Sequence, residues 1–273
     1  RRVLFRSLLV APERRAGRAR TGSRRPGWVF YAVVVSFLGL CVAAAVLEDT
    51  LLASEPVGRA VSVALVLVGV VLSVTLHEYG HALTAYWGGD RSVVAKGYLT
   101  LDVRRYAHPL LTVGMPLLFL ALGALPLPGG AVLIEQHRLR SRAWSSLVSL
   151  AGMVMNAAFV LVLAAVVASD VLTARAVVLQ SLLSYLLVIQ VTLVVLNLLP
   201  LPGLDGYGVV EPFLPRALAA ALDTLRPYGL VVLVALALTG GLDFVWQAGF
   251  AVGDLLGADR ALVGLGAALA SLR

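Results

Sequence analysis

The sequence predicts an all-α integral membrane protein with about five full transmembrane helices plus a re-entrant hairpin, and three observations carry that expectation. Hydrophobic residues make up 60% of the 273-residue chain and charged residues only 14%. A water-soluble domain carries about 25% charged residues, so the deficit excludes a soluble globule. Apolar runs near 20 residues recur along the chain, the length that crosses a bilayer as a helix. Basic and acidic connections alternate between the runs, as they do when cationic loops stay on the cytoplasmic side.

Taken in order, Arg1–Ser7 reads as an artefactual frame and is set aside, and residues 8–25 read as a basic cytoplasmic tail. The expected spans are Trp28–Leu47, Ala60–Tyr86, Ser145–Ala168, Ala176–Leu199 and Tyr228–Phe250. The connection from Glu48 to Glu55 is acidic, whereas Gly88–His108 and Glu135–Arg142 are basic. Within the first basic connection, Tyr98–Val103 reads as a short strand, and the Gly88-Gly89 pair as a helix stop. Trp28, Trp87 and Trp144 lie near span ends, as interfacial anchors do. The domain organisation is then a tail at 1–25, one membrane domain at 26–250, and a C-terminal tail at 251–273 that can lie on the membrane, with no appended soluble domain.

The net charge of +7 does not suggest nucleic acid in such a chain. Its arginines mark topology: the N-terminal tail, Arg91/Lys96/Arg104/Arg105 and Arg138/Arg140/Arg142 belong inside, and the acidic 48–55 connection outside. The N-terminus is therefore cytoplasmic. Lys96 is the only lysine among 22 basic residues, a bias of GC-rich bacterial genomes that points to a bacterial cytoplasmic membrane. The single cysteine, Cys41, excludes an internal disulfide and any cysteine-based zinc site.

Chemistry concentrates in two places. The second span ends in Thr75-Leu-His-Glu-Tyr-Gly-His-Ala-Leu83. His77 and His81 are four residues apart, so a helix projects both imidazoles from one face, as two ligands of a tetrahedral zinc ion require. Glu78, beside the first ligand, is placed to take a proton from metal-bound water. The alternative is a core histidine pair, but three ionisable groups in an apolar helix are costly without partners. Two histidines leave zinc short of a protein ligand. The candidate is Asp205 in Asn197-Leu-Leu-Pro-Leu-Pro-Gly-Leu-Asp-Gly206, where Pro and Gly must break the helix. An ordinary Asp-Gly turn at a span end is the competing reading. His108 and His137 lie in basic loops and read as solvated.

Together, the two motifs, each on its own span, resemble the site-2 protease family of intramembrane zinc metalloproteases. The resemblance implies a site-2 protease-like core, with His77, His81 and Asp205 as zinc ligands, Glu78 as general base and Asn197 as a substrate-binding residue near the active site. Leu125-Pro-Leu-Pro-Gly-Gly-Ala-Val132 is similar to that family's Pro-Gly-Gly loop, and Ala151-Gly-Met-Val-Met-Asn156 to its Gly-Pro-x-x-Asn helix start, with Met153 where the pattern has Pro. The implied activity is hydrolysis of peptide bonds in transmembrane or membrane-proximal segments. The implied partners are a membrane protein substrate and the bilayer. The strand at Tyr98–Val103 is a candidate edge for pairing with an extended substrate. The alternative function is a metal-binding membrane protein without protease activity, a carrier or scaffold.

Topology tests the pairing. His81 and Asp205 reach one ion only if their spans run in the same direction. That requires Pro109–Gly130, with Pro116 and Gly123 inside it, to enter and leave by one face as a re-entrant hairpin.

Overall fold

Long apolar stretches without interior Pro close into helices because only a helix satisfies its own backbone hydrogen bonds away from water. The computed structural model describes residues 24–105, 132–169 and 176–271, together with 112, 114, 116, 117 and 119. In order, the helices are α1 (Trp28–Val46), α2 (Glu48–Ala53), α3 (Glu55–Gly88), α4 (Ser92–Ala95), α5 (Arg142–Val167), α6 (Val177–Asn197), α7 (Asp205–Val210), α8 (Arg216–Asp223), α9 (Gly229–Leu238), α10 (Asp243–Leu255) and α11 (Arg260–Leu269). Four of them, α1, α3, α5 and α6, are long and apolar enough to cross a membrane. The fold is an all-α integral membrane bundle.

Its ends are set by local chemistry. Pro56 occupies the first turn of α3, where its missing N–H is not needed. The helix stops at Gly89, whose φ of +119° suits glycine. There Asp90 N–H reaches Ala85 O at 2.9 Å and Gly89 N–H reaches Tyr86 O at 3.3 Å, which caps the last carbonyls. Ser141 Oγ accepts the Trp144 N–H and starts α5.

The most buried helix is α6, with α3 and α5 on one side and α10 and α11 on the other. Cross-helix neighbours give the directions. Ser73 meets Asn156, Gly80 lies on Ala151, and Gly88 lies on Trp144, so α3 and α5 are antiparallel. Gly69 lies on Leu186 and Ser73 meets Gln190, so α3 and α6 run the same way. Arg140 N–H donates to Gly88 O at 2.9 Å. The chain thus leaves α3 and re-enters α5 at one end of the bundle, which meets the parity requirement. The re-entrant hairpin itself, at 109–130, lies outside the described residues apart from isolated positions.

Two expectations are corrected. Tyr98–Val103 is not a strand: Tyr98–Thr100 is a turn of 3-10 helix, flanked by positive φ at Gly97 (76°) and Leu101 (53°). Tyr98 and Leu99 are both buried, in one apolar cluster with Ala82 and Ala85 of α3. Tyr228–Phe250 is not one continuous span either. It breaks between α9 and α10, where Gly240 takes φ +77°. Ten residues of α9 rise only about 15 Å, half a hydrocarbon core. A fifth crossing by length and composition comes instead from a pair bent by 69°, Arg216–Tyr228 with Val231–Ala237. Beyond 251, α11 packs on α6, with Gly266 against the Ser181 carbonyl.

Candidate metal centre

His77 and His81 sit one turn apart on α3, seven and more residues before its end. Their Nε2 atoms are 2.9 Å apart. Asp205, the first residue of α7, brings Oδ2 to 2.9 Å from His77 Nε2 and 3.4 Å from His81 Nε2. Neighbouring donors of a tetrahedral ion bound at about 2.0–2.1 Å stand roughly 3.3 Å apart, and the three separations bracket that value.

The protonation pattern points the same way. A carbonyl can only accept, so the 2.6 Å contact between His81 Nδ1 and Val148 O makes Nδ1 the donor. His81 Nε2 is left with a lone pair directed at the other two donors. Asp205 Oδ2 is buried and accepts no hydrogen bond among the described residues. A carboxylate oxygen facing an imidazole lone pair is repulsive unless a proton or a metal cation lies between them. The donor set of two imidazoles and one carboxylate suits zinc.

Asp205 depends on a folded loop. Pro200 and Pro202 end α6, and Gly203 turns the chain at φ +106°. Gly206 then lies against the Leu198 and Leu199 carbonyls, where a Cβ would stand 2.3 Å from Leu198 O. The loop closes on itself only with glycine there. Next, α7 docks on α5: Ser146 Oγ donates to Val209 O at 2.6 Å, and Gly208 packs on Ser149. A clasp follows, in which Arg226 pairs with Glu211 and with Asp223 and lies over the Tyr207 ring.

Glu78 is buried, and its Oε2 accepts the Val132 N–H at 2.9 Å. Asn197 is the last residue of α6 and is half-buried. Among the described residues its side chain is not hydrogen-bonded to the three metal-site residues. Met153 is buried in an unbroken α5, so the helix runs straight through the position where the resembled pattern has Pro. Sequence reasoning missed Val148, whose carbonyl orients His81, and Gly206. It also missed Gly152, where a Cβ would stand 2.4 Å from His81 Nε2 and 2.7 Å from His77 Nε2. Any side chain at 152 would press on both imidazoles. Ala151–Asn156, which contains Gly152, and Asn197–Gly206, which ends on Gly206, were the sequence signals for the two glycines.

The chain has relatives over most of its length. The chain is 41% identical over 220 residues to "Putative zinc metalloprotease Rip2" of Mycobacterium tuberculosis, covering 79% of this chain and 83% of that one. It is 39% identical over 221 residues to the protein of that name in Mycolicibacterium smegmatis, covering 81% and 83%.

The chain belongs to the site-2 protease family.

A more distant family relative is "Putative zinc metalloprotease YwhC" of Bacillus subtilis, 33% identical over 178 residues, 62% of this chain and 78% of that one. No family model matches the chain, and no solved structure matches it. Zinc is the metal that family membership and the donor set both call for.

Proposed function

We propose that this multi-pass membrane protein is an intramembrane-cleaving zinc endopeptidase, which hydrolyses peptide bonds in transmembrane or membrane-proximal segments of protein substrates. The observation that carries the reading is depth. His81 and His77 precede Gly88, the last residue of α3, by seven and eleven residues, or about 10–17 Å along the axis. Exposed Trp87 marks that end as interfacial. A site at such depth faces peptide bonds embedded in lipid.

In this reading His77, His81 and Asp205 hold the zinc, which supplies Lewis acidity toward the scissile carbonyl and toward water. Glu78 is the general base. Its carboxylate takes the proton of the attacking water and returns it to the departing amine nitrogen. The Val132 N–H fixes the plane of that carboxylate. Asn197, one residue before the Leu198 carbonyl against which Gly206 closes the loop carrying Asp205, is assigned to substrate binding in this reading. Arg91, Arg104 and Arg140 cluster with aromatic rings at the Gly88 end. That end is read as cytoplasmic, in a bacterial cytoplasmic membrane.

The test uses purified protein in vesicles with a transmembrane peptide. Glu78→Gln is expected to abolish cleavage while keeping about one zinc per chain. Cleavage retained by Glu78→Gln, or by protein verified as metal-free, would sink the mechanism.

A further inference from the structure

We propose that Gly152, on a helix that supplies no ligand, is a positioning residue that lets both imidazoles of the metal centre stand against α5. This rests on the metal-centre reading above. The ideal Cβ position at residue 152 has three nearest neighbours: His81 Nε2 at 2.4 Å, His77 Cε1 at 2.7 Å and His77 Nε2 at 2.7 Å. A methyl group at 152 would therefore push one or both imidazoles away from the positions that bring their Nε2 atoms together.

Two ordinary reasons for a helical glycine do not apply here. The first is backbone conformation. Gly152 lies inside α5 and is not among the residues with positive φ, so any residue can take its conformation. The second is close helix packing. At the same crossing Gly80 does that job, where a Cβ would stand 2.6 Å from Ala151 O. The three nearest neighbours at 152 include no backbone atom; all are atoms of the two imidazoles. Nor can the His81 ring swing aside freely, because its Nδ1 is bonded to the carbonyl of Val148 at 2.6 Å. Val148 and Gly152 are one turn apart on α5 and share a face. One holds the ring, and the other leaves room for it. Glycine inside a helix costs about 1 kcal/mol relative to alanine, so a role in the metal centre is what offsets that cost.

The predicted signature ties the cost of the methyl to the imidazoles. In the full-length protein, Gly152→Ala is expected to lower zinc affinity at least tenfold and to lower the melting temperature of the metal-free protein, a loss that the His77→Ala/His81→Ala background removes. Gly264→Ala, where nothing lies within 4 Å of the new methyl, leaves zinc affinity unchanged and raises the melting temperature slightly. Gly80→Ala lowers the melting temperature. Full zinc affinity in Gly152→Ala, alongside zinc loss in His81→Ala, overturns the proposal and leaves the metal centre standing. Zinc retained in His81→Ala overturns the metal centre itself. If Gly152→Ala does not fold, it is placed in the His77→Ala/His81→Ala background, where the proposal expects folding to return. A triple variant that still fails to fold assigns Gly152 to helix packing and overturns the proposal.

Discussion

The two segments that meet at the metal centre are built on different principles. On α3, His77 and His81 share a face because a helix repeats every 3.6 residues. Asp205 has no such guarantee. It follows a helix broken by Pro200 and Pro202, and its position depends on Gly206 closing against Leu198, on Ser146 holding Val209 and on Arg226 clasping Glu211 and Asp223. The helical half is set by local backbone, the loop half by tertiary contacts. Remote substitutions should therefore disturb the second half far more than the first.

Direct loss of a ligand removes the distinction. His81→Ala and Asp205→Ala should each weaken zinc binding by more than about 100-fold, beyond the 10–100-fold typical of outer partners. Titration against a chelator of known affinity measures this, and near-native affinity in Asp205→Ala would detach the loop from the centre.

One step out, the halves should diverge. Gly206→Ala forces a methyl against Leu198 O, and is expected to cost roughly 10–100-fold in zinc affinity although it alters no ligand. Leu83→Ala, two residues from His81 on the helix, should change zinc affinity by no more than about twofold, because the helical period already puts both imidazoles on one face. Equal effects from the two substitutions would erase the contrast.

Further from the site, the register of α6 sets the depth at which the loop begins. Ser73 Oγ donates to Gln190 Oε1 at 2.5 Å and lies 3.3 Å from Asn156 Oδ1, tying α3, α5 and α6 one turn before His77. Gln190→Leu is expected to destabilise the bundle by about 0.6–1.7 kcal/mol and to lower zinc affinity several-fold. A lowered melting temperature with unchanged zinc affinity would assign the register to apolar packing alone.

The smallest effect lies at the membrane surface. Hydrogen bonds from Arg138 and then Lys96 hold the Glu135 carboxyl down to about pKa 2. A depressed carboxyl contributes stability above its unfolded pKa, near 4.5, and loses it as pH falls through the folded value. Melting curves of the wild type should show this loss between about pH 4.5 and 2. Glu135→Gln should flatten that stretch slightly and leave zinc affinity at neutral pH alone.

Much of the outline was legible in the residues. Hydropathy located the four long helices, the four-residue spacing placed two ligands on one face, and Gly88-Gly89 marked where α3 stops. These features follow from short-range rules: apolar length, helical period and the αL tolerance of glycine. Tyr98–Thr100 escaped the same rules because a short apolar run with one Thr suits either a strand or a 3-10 turn. The break at Gly240 escaped because hydropathy averages over the Thr239-Gly-Gly turn. The role of Val148 could not be read at all, since the orienting group is a backbone carbonyl that every residue carries.

Sequence by itself determined the membrane class, the pairing of two histidines on one helical face and a candidate for the third donor. Tertiary structure alone decided that Asp205 reaches the histidines, which tautomer His81 adopts, and why residue 152 has no side chain. The physical reason is that a helix enforces its own geometry within a turn. A loop carboxylate, a backbone acceptor and a glycine under two imidazoles acquire meaning only from atoms far away in the chain.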